Sequence, residues 1–363
     1  MTWSADEPYN DLPPLPPAEY VETMPVLKAV IEARAAIAGL NEALVSLPNP
    51  NIFLHSLALL EAQASSEIEN IVTTTDELFK AATISSDASG ATREALRYQK
   101  ALFAGLDAMR ARHGIITANT AKEICSTIRD IETDVRHGEG VYIGNPTTRR
   151  RIYTPPQGAQ VIAQKLKNWE EFVNSSSEFD PLVRVALAHY QFEAIHPFDD
   201  GNGRTGRILD VLMLVSAGLL EEPILYISQS IIAQKNEYYR LLNGVTSEGL
   251  WEDWTLYMVE AMREIAVNTL AKIKRIQGLQ EQIHEVVGSQ MPAGVMEVVF
   301  EQPYCRIKDV VERCAVTRQT ATKYLGELVS SGVLREEKAG REKLFVNEEL
   351  MEVLKSKEGT VGD

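Results

Sequence analysis

The chain has 363 residues, of which 45% are hydrophobic, 24% charged and 7% aromatic, the composition of a globular protein rather than a disordered, collagenous or membrane-spanning one. With 36 lysines and arginines against 51 aspartates and glutamates the net charge is −15, which excludes tethering of the whole molecule to nucleic acid or anionic lipid by bulk electrostatics. Any polyanion must be held locally. Cys125, Cys305 and Cys314 are odd in number and share no CxxC spacing, which argues against a disulfide framework and a cysteine-rich zinc site and predicts reduced thiols. The acidic N-terminus MTWSADEPYN has no apolar export core, and the longest apolar run, 208–220, is interrupted by Asp210 and too short to span a bilayer. A cytoplasmic protein with no membrane partner is expected.

In chain order, Pro8, Pro13, Pro14, Pro16 and Pro17 fix φ and remove backbone donors, so the stretch to about residue 25 is predicted as an extended arm over the body. Apolar residues then recur at three and four through 27–40, 53–71 and 251–271, which predicts helices. Pro48, Asn49 and Pro50 separate the first two. The interlude at 138–158 is not helical. Its β-prone runs Val141-Tyr142-Ile143 and Arg151-Ile152-Tyr153 flank Gly144-Asn145-Pro146 and read as a hairpin or flap. Near the C-terminus, 307–313, a turn at Ala315-Val316 and 317–330 with Thr317 as N-cap give two helices. Strand, turn and strand follow, from Gly332 through Lys338-Ala339-Gly340-Arg341 to Val346. Helix, helix and β-wing in this order predict a winged helix-turn-helix.

The chemistry concentrates in His196-Pro197-Phe198-Asp199-Asp200-Gly201-Asn202-Gly203-Arg204-Thr205-Gly206-Arg207. Gly201 and Gly203 let backbone amides approach an anion closely. Asp200 supplies a hard oxygen ligand suited to Mg²⁺ shared with phosphate oxygens. Arg204 and Arg207 are fork-shaped donors for phosphate, placed at the start of an expected helix whose N-terminus adds positive potential. His196 is the group here that takes a proton near neutral pH. Together these residues describe phosphoryl-type transfer to a deprotonated hydroxyl. The same run also satisfies G-x-G-x-x-G, with Glu221 or Glu222 about twenty residues on. That reading fails on context, because 182–192 is helical in character and no βαβ alternation surrounds it. No G-x-x-x-x-G-K-[ST] occurs.

With every fixed position of H-P-F-x-[DE]-G-N-G-R-x-x-R matched at 196–207, the segment resembles the complete signature of the Fic family. The chain as a whole is similar to bacterial Fic proteins that carry an N-terminal inhibitory helix and a C-terminal winged helix. The resemblance implies an all-α class: a Fic-fold helical core with a small β-hairpin flap, plus the winged helix-turn-helix domain. It divides the chain into an arm and helical region at 1–110 with the inhibitory helix at about 51–72, a catalytic core at 111–280 with the flap at 138–158, and the winged domain at 290–355. It implies transfer of AMP from Mg-ATP to a Ser, Thr or Tyr hydroxyl of a target protein, or of the enzyme itself, with release of pyrophosphate.

In that scheme His196 takes the hydroxyl proton and Asp200 holds the metal between the α- and β-phosphates. The amides of Gly201, Asn202 and Gly203 form the anion hole, with Gly206 in the same nucleotide-binding set, Arg204 beside the phosphates and Arg207 on the γ-phosphate. Phe198 reads as a core anchor and Asp199 as exposed. The flap matches the family's target-docking hairpin, with Arg151, Ile152 and Tyr153 as the docking edge for strand addition, although Arg149 to Arg151 also fit a solvated turn. Tyr238-Tyr239 resembles a pair near the adenine pocket of relatives, which makes Tyr238 the candidate nucleotide contact. His189 reads as a packed histidine rather than a metal ligand.

Ser65, Glu69 and Asn70 match the family's inhibitory pattern [ST]-x-x-x-E-[GN]. Ser65 and Glu69 share a helix face, and a carboxylate at Glu69 would occupy the Arg207 guanidinium needed for the γ-phosphate. A Glu there can also orient a water, so removal of AMP stays open. A regulator that binds DNA through the winged helix is the alternative from a different class. Residues 290–363 hold 11 lysines and arginines against 13 carboxylates, and the expected recognition helix offers Arg318 and Lys323 beside Glu327, a modest set for a duplex. DNA therefore stands as a second candidate partner beside ATP and an unidentified target protein, and a homodimer is the assembly expected from similar proteins.

Overall fold

The computed structural model describes residues 3–20, 22–47, 49–84, 88–138, 140–144, 150–176, 178–288, 291–339 and 342–356. Pro48, Asn145, Pro146, Arg149, Gln290, Gly340 and Arg341, which figure in the sequence reading, lie outside them. The proline-rich arm runs over the body as expected. Leu12 and Leu15 are buried, Asn168 bonds both the amide and the carbonyl of Leu15 at 2.7 and 2.9 Å, and Gln191 donates to the Pro13 carbonyl at 2.7 Å.

Helix α1 (Met24–Val45) starts with Pro25 in its first turn and buries Val26, Val30, Ala33, Ile37, Leu40 and Leu44, a stripe at three-and-four spacing. That stripe packs on the 37-residue helix α11 (Trp251–Val287). Each fully buried Val, Ile or Leu contributes roughly 1.5–3 kcal/mol relative to exposure. Between them in sequence come α2 (Asn51–Ile68), α3 (Thr75–Thr83), α4 (Gly90–Ala111) and α5 (Ala118–Arg129). A capping box of Thr74 and Glu77 starts α3.

The two strands β1 (Ile143–Gly144) and β2 (Arg151–Tyr153) pair antiparallel with an irregular register. The hairpin of the sequence reading is thus present, but its first strand is two residues long and begins at Ile143. Then follow α6 (Ala159–Val173), α7 (Pro181–Ile195) and α8 (Asn202–Ser216). Asp180 caps α7 by accepting from the Leu182 amide at 2.9 Å, and nearly all of α7 is buried. Such an all-round apolar helix belongs in the middle of a core. Trp169 and Trp254 donate to its Ala188 and Ala186 carbonyls at 3.0 and 2.8 Å. Since α7 and α8 pack together, the segment between them is held at both ends.

Beyond α9 (Ser228–Ala233) and α10 (Lys235–Glu248), helix α11 continues unbroken past residue 280. The C-terminal elements are α12 (Ala293–Glu301), β3 (Tyr304–Arg306), α13 (Ile307–Cys314), α14 (Arg318–Ser330), β4 (Arg335–Ala339), β5 (Glu342–Val346) and α15 (Glu348–Lys355). Their three-stranded sheet has the order β3-β5-β4, with β3 ahead of α13 and α14 and the β4-β5 hairpin behind them. Thr317 caps α14 through its hydroxyl, which accepts from the Thr320 amide at 3.2 Å. This unit seats directly on α2 and α3. Ser56 donates to the Glu301 carbonyl at 2.8 Å, Tyr304 donates to Asp76 at 2.7 Å, and Lys80 pairs with Glu337. Among the described residues no helix is long and apolar enough to cross a membrane. The three cysteines are free.

Candidate active site

Helix α7 ends at Ile195, and His196 caps it in the left-handed region at φ 50°, a conformation that costs a residue with a Cβ about 1 kcal/mol. The turn persists because its backbone is tied down. The Ile195 and His196 carbonyls, which the helix end leaves without partners, accept from Arg136 at 3.1 and 2.7 Å. Six residues on, Asn202 accepts from the Phe198 amide at 2.8 Å and donates to the Phe198 carbonyl at 2.7 Å. Phe198 is buried and Asp199 exposed, as the sequence reading expects. Gly201, at φ 87°, is the N-cap of α8, so the loop runs straight into a helix N-terminus.

The loop is close-packed from below. A Cβ on Gly201 would come within 3.2 Å of Cys125 Sγ, and that thiol donates to the Asp200 carbonyl at 3.3 Å. Burial pushes Cys125 up to about 11, which keeps the proton for this bond. Asp200 itself points outward. Its side chain is 64% exposed, its Oδ1 accepts from the Gly201 amide at 2.7 Å, and Arg129 and Arg204 stand off at 3.7 and 3.6 Å. Arg204 is buried and pairs with Glu94 of α4.

Arg207 is buried against the end of α2. Its Nε donates to Ser65 Oγ at 2.8 Å, and its Nη2 donates to the Ser65 carbonyl and to Glu69 Oε1, both at 2.9 Å. Burial alone would lower the guanidinium's pKa, but Glu69, Tyr238, Tyr98 and Glu193 together outweigh it and the net shift is upward. The Glu69 carboxylate also lies on Gly203, where a Cβ would fall 2.5 Å from its Oε1 and 2.9 Å from Arg207 Nη1. An acidic side chain thus covers the amide end of α8 and the buried Arg207. Asn70 follows at φ 63° and closes α2 in the left-handed form that Asn and Gly tolerate best. Lys235 donates to the Ile68 carbonyl at 2.6 Å and secures the same end.

His189 is buried between Asp210, 2.7 Å from its Nδ1, and the Tyr238 hydroxyl, 2.7 Å from its Nε2, the packed arrangement expected of it. Burial pulls its pKa down, and Asp210 more than reverses that. Tyr238 is therefore a core side chain, 2% exposed with its hydroxyl in use, while the neighbouring Tyr239 ring is 42% exposed. On the flap, Tyr153 is buried and donates to the Ala194 carbonyl at 2.8 Å, whereas Ile152 is 41% exposed and Arg151 lies over the Tyr142 ring.

Four charged residues of this region escaped the sequence reading. Glu61, Glu94 and Arg136 are joined to it by long-range packing, and Glu193 by its place in the last turn of α7. Gly206 makes room for the last of them, since a Cβ there would meet Glu193 Oε1 at 2.8 Å. The available signals were slight: Glu61 is a lone acid in the apolar stretch 57–62, four residues before Ser65, and Glu193 stands three before His196.

Three family models match the sequence: Fic/DOC family N-terminal over residues 27–107, Fic/DOC family over 105–214, and the protein adenylyltransferase SoFic-like C-terminal domain over 276–350. The chain belongs to the Fic/DOC family. Protein adenylyltransferase Fic of Drosophila yakuba is 34% identical over 143 residues, 37% of this chain and 27% of that protein. The Drosophila willistoni protein of the same name is 28% identical over 198 residues, 52% and 37% of the two chains. The Fic-family chain thus spans well under half the length of these curated relatives. A Fic family protein from Desulfovibrio desulfuricans G20 has the same fold, with a TM-score of 0.53 at 18% identity over 90% of this chain and 97% of that one. So has Fic-1 from C. elegans, with a TM-score of 0.51 at 19% identity over 71% and 74%.

Proposed function

We propose that this protein transfers AMP from Mg-ATP to a Ser, Thr or Tyr hydroxyl of a target protein or of itself, and that Glu69 holds the reaction in check. The names of its relatives as adenylyltransferases support the reaction. The pairing of Glu69 and Ser65 with Arg207 carries the brake.

Burial, aided by Arg136, pulls His196 down to about 4, so its imidazole is neutral at pH 7 and free to take a proton. In this reading it accepts the proton of the target hydroxyl as that oxygen forms its bond to the α-phosphorus and the bond to pyrophosphate breaks. The amides at Gly201, Asn202 and Gly203, at the positive end of α8, receive the charge that develops on the phosphoryl oxygens. Arg207 takes the γ-phosphate once Glu69 withdraws, and Arg204 lies behind the loop. Of the tyrosine pair, Tyr239 has the exposed ring to offer a base. Asp200 fits a Mg²⁺, because its carboxylate is exposed and no basic group closes on it within 3.5 Å. Bound there with phosphate oxygens, the metal would supply charge neutralisation. Target segments add to the flap at Arg151, Ile152 and Tyr153, with Ile152 as the exposed apolar contact. A water oriented by Glu69 gives the reverse activity, removal of AMP. The chain divides functionally as the sequence suggests, into a braking region, a core and a winged unit, and its assembly in this reading is a homodimer.

The test is incubation of the full chain with α-labelled ATP and Mg²⁺, alone and with lysate. Release of one charge-assisted pair is worth about 1.5–3 kcal/mol, so Glu69→Gly is expected to raise labelling roughly tenfold or more. Equal rates in the variant and the parent defeat the brake, and labelling that survives His196→Ala defeats the transfer. A second reading, DNA binding, draws on the exposed Arg318 and Lys323 of α14. Lys323 lies 3.7 Å from Glu327, Lys343 2.7 Å from Glu336, and Arg335 pairs with Glu348, so the face is charge-balanced. It suits a protein surface better than a duplex, and gel retardation by the full chain separates the two.

A further inference from the structure

Arg136 belongs to no motif, yet its guanidinium joins the two parts of the site. It is 3% exposed, in the segment between α5 and β1. Its Nε donates to the His196 carbonyl at 2.7 Å, and its Nη2 donates to Ile195 at 3.1 Å and to Pro156 at 2.6 Å. Its backbone amide donates to the Pro197 carbonyl at 2.9 Å. Three of these acceptors are the consecutive residues at which the chain leaves α7 through the left-handed turn. The fourth lies three residues beyond β2, at the base of the flap.

The chemistry of this placement is specific. Carbonyls at a helix C-terminus need donors, and only a planar fork reaches several at fixed angles; an ammonium is a point charge. Among the described residues every hydrogen-bond partner of the side chain is a carbonyl, and Nη1 has none. Burying a cation on these terms is unfavourable, and burial does lower the guanidinium's pKa, with Asp199 opposing at longer range.

We propose that Arg136 is a positioning residue for adenylyl transfer: its guanidinium fixes the turn that carries the His196 imidazole and ties that turn to the base of the flap. The proposal deepens the adenylyltransferase reading and rests on it. Its charge has a second effect. Arg136 stands against protonation of His196, while Glu69 from α2, Asp200 from the loop and the Glu193 carbonyl of α7 favour it.

The experiment uses the full chain carrying Glu69→Gly, with Arg136→Gln and Arg136→Lys added. His196 is titrated by NMR of ring-labelled histidine and assigned with His196→Ala, and AMP transfer is measured in parallel. Arg136→Gln is expected to raise the His196 midpoint by about one unit or more. It should also lower kcat roughly 100-fold, the usual scale for a displaced reacting group, with KM for ATP changed less than about threefold. Arg136→Lys keeps the midpoint and still lowers kcat. An unchanged midpoint in Arg136→Gln, or kcat within about threefold of the parent in both variants, overturns the proposal. If Arg136→Gln does not fold, Arg136→Lys decides through kcat alone. If the parent yields no labelled product, the transfer reading fails instead, and the midpoint alone decides whether Arg136 governs the imidazole.

Discussion

The carboxylate of Glu69 reaches Arg207 Nη2 at 2.9 Å from the very end of α2, across 138 positions of sequence. Ser65, one turn earlier, takes the same guanidinium at Nε, so two residues of one helix end hold one arginine. Ser65→Ala removes one of them and leaves a buried donor unmatched, which costs about 1–3 kcal/mol. The variant is expected to melt below the parent and to label at a rate between the parent and Glu69→Gly. A rate equal to the parent's would show that Ser65 contributes nothing to holding Arg207.

Asn70 matters for its backbone. At φ 63° it closes α2, and the Ile71 amide then donates back to the Ser66 carbonyl at 3.0 Å. Its side chain is exposed. Asn70→Gly should leave stability and basal labelling unchanged. Asn70→Val, which resists the left-handed region, should cost about 1–2 kcal/mol and raise basal labelling as Glu69 drifts from Arg207. Thermal melting and the labelling assay read both, and identical behaviour of the two variants would rule out this account.

What the sequence disclosed and what it withheld divide along contact distance. The loop from His196 to Arg207 is contiguous and turned by its own residues, as the reciprocal bonds of Phe198 and Asn202 show, so its pattern is readable in one dimension. The arm is readable for the same reason, since proline restricts its own φ. The pairing of Ser65 and Glu69 with Arg207 was legible through residue types one turn apart. Arg136, Glu61 and Glu94 were not, because their partners lie 60, 37 and 110 positions away. Helical spacing likewise does not tell which of two adjacent tyrosines turns inward, and here Tyr238 does. The reading of α11 stopped at Ala271, although Ile273, Ile276, Leu279 and Ile283 continue its buried seam.

Gly203 is required for space and not for conformation, since it sits inside α8 without a positive φ. An alanine there should improve helix propensity by up to about 1 kcal/mol. Its methyl would nonetheless occupy the surface on which Glu69 now lies and on which phosphate would sit. In the Glu69→Gly background the Arg207 guanidinium, 2.9 Å away, must still shift, and Gly203→Ala is expected to bind ATP at least about tenfold more weakly, about 1.4 kcal/mol. Calorimetric titration with ATP checks this, and unchanged affinity would mean that nucleotide does not use the amide end of α8.

Glu61 gives the fold a pH dependence of known sign. It is 2% exposed; its Oε1 accepts from the hydroxyls of Tyr98, at 3.0 Å, and Ser228, and its Oε2 has no partner. Burial pushes the carboxyl from 4.5 up to about 7, against the lowering effects of Ser228 and Arg207. Between these two values the folded chain holds a proton that the unfolded chain has released. Stability therefore falls as pH rises through that window and levels off above it. Glu61→Gln keeps the shape and has no proton to lose. The parent should lose more stability than this variant between pH 5 and pH 8, by at most about 3 kcal/mol. Melting curves at the two pH values measure the difference, and parallel losses in parent and variant would mean that Glu61 is ionised in the folded chain throughout.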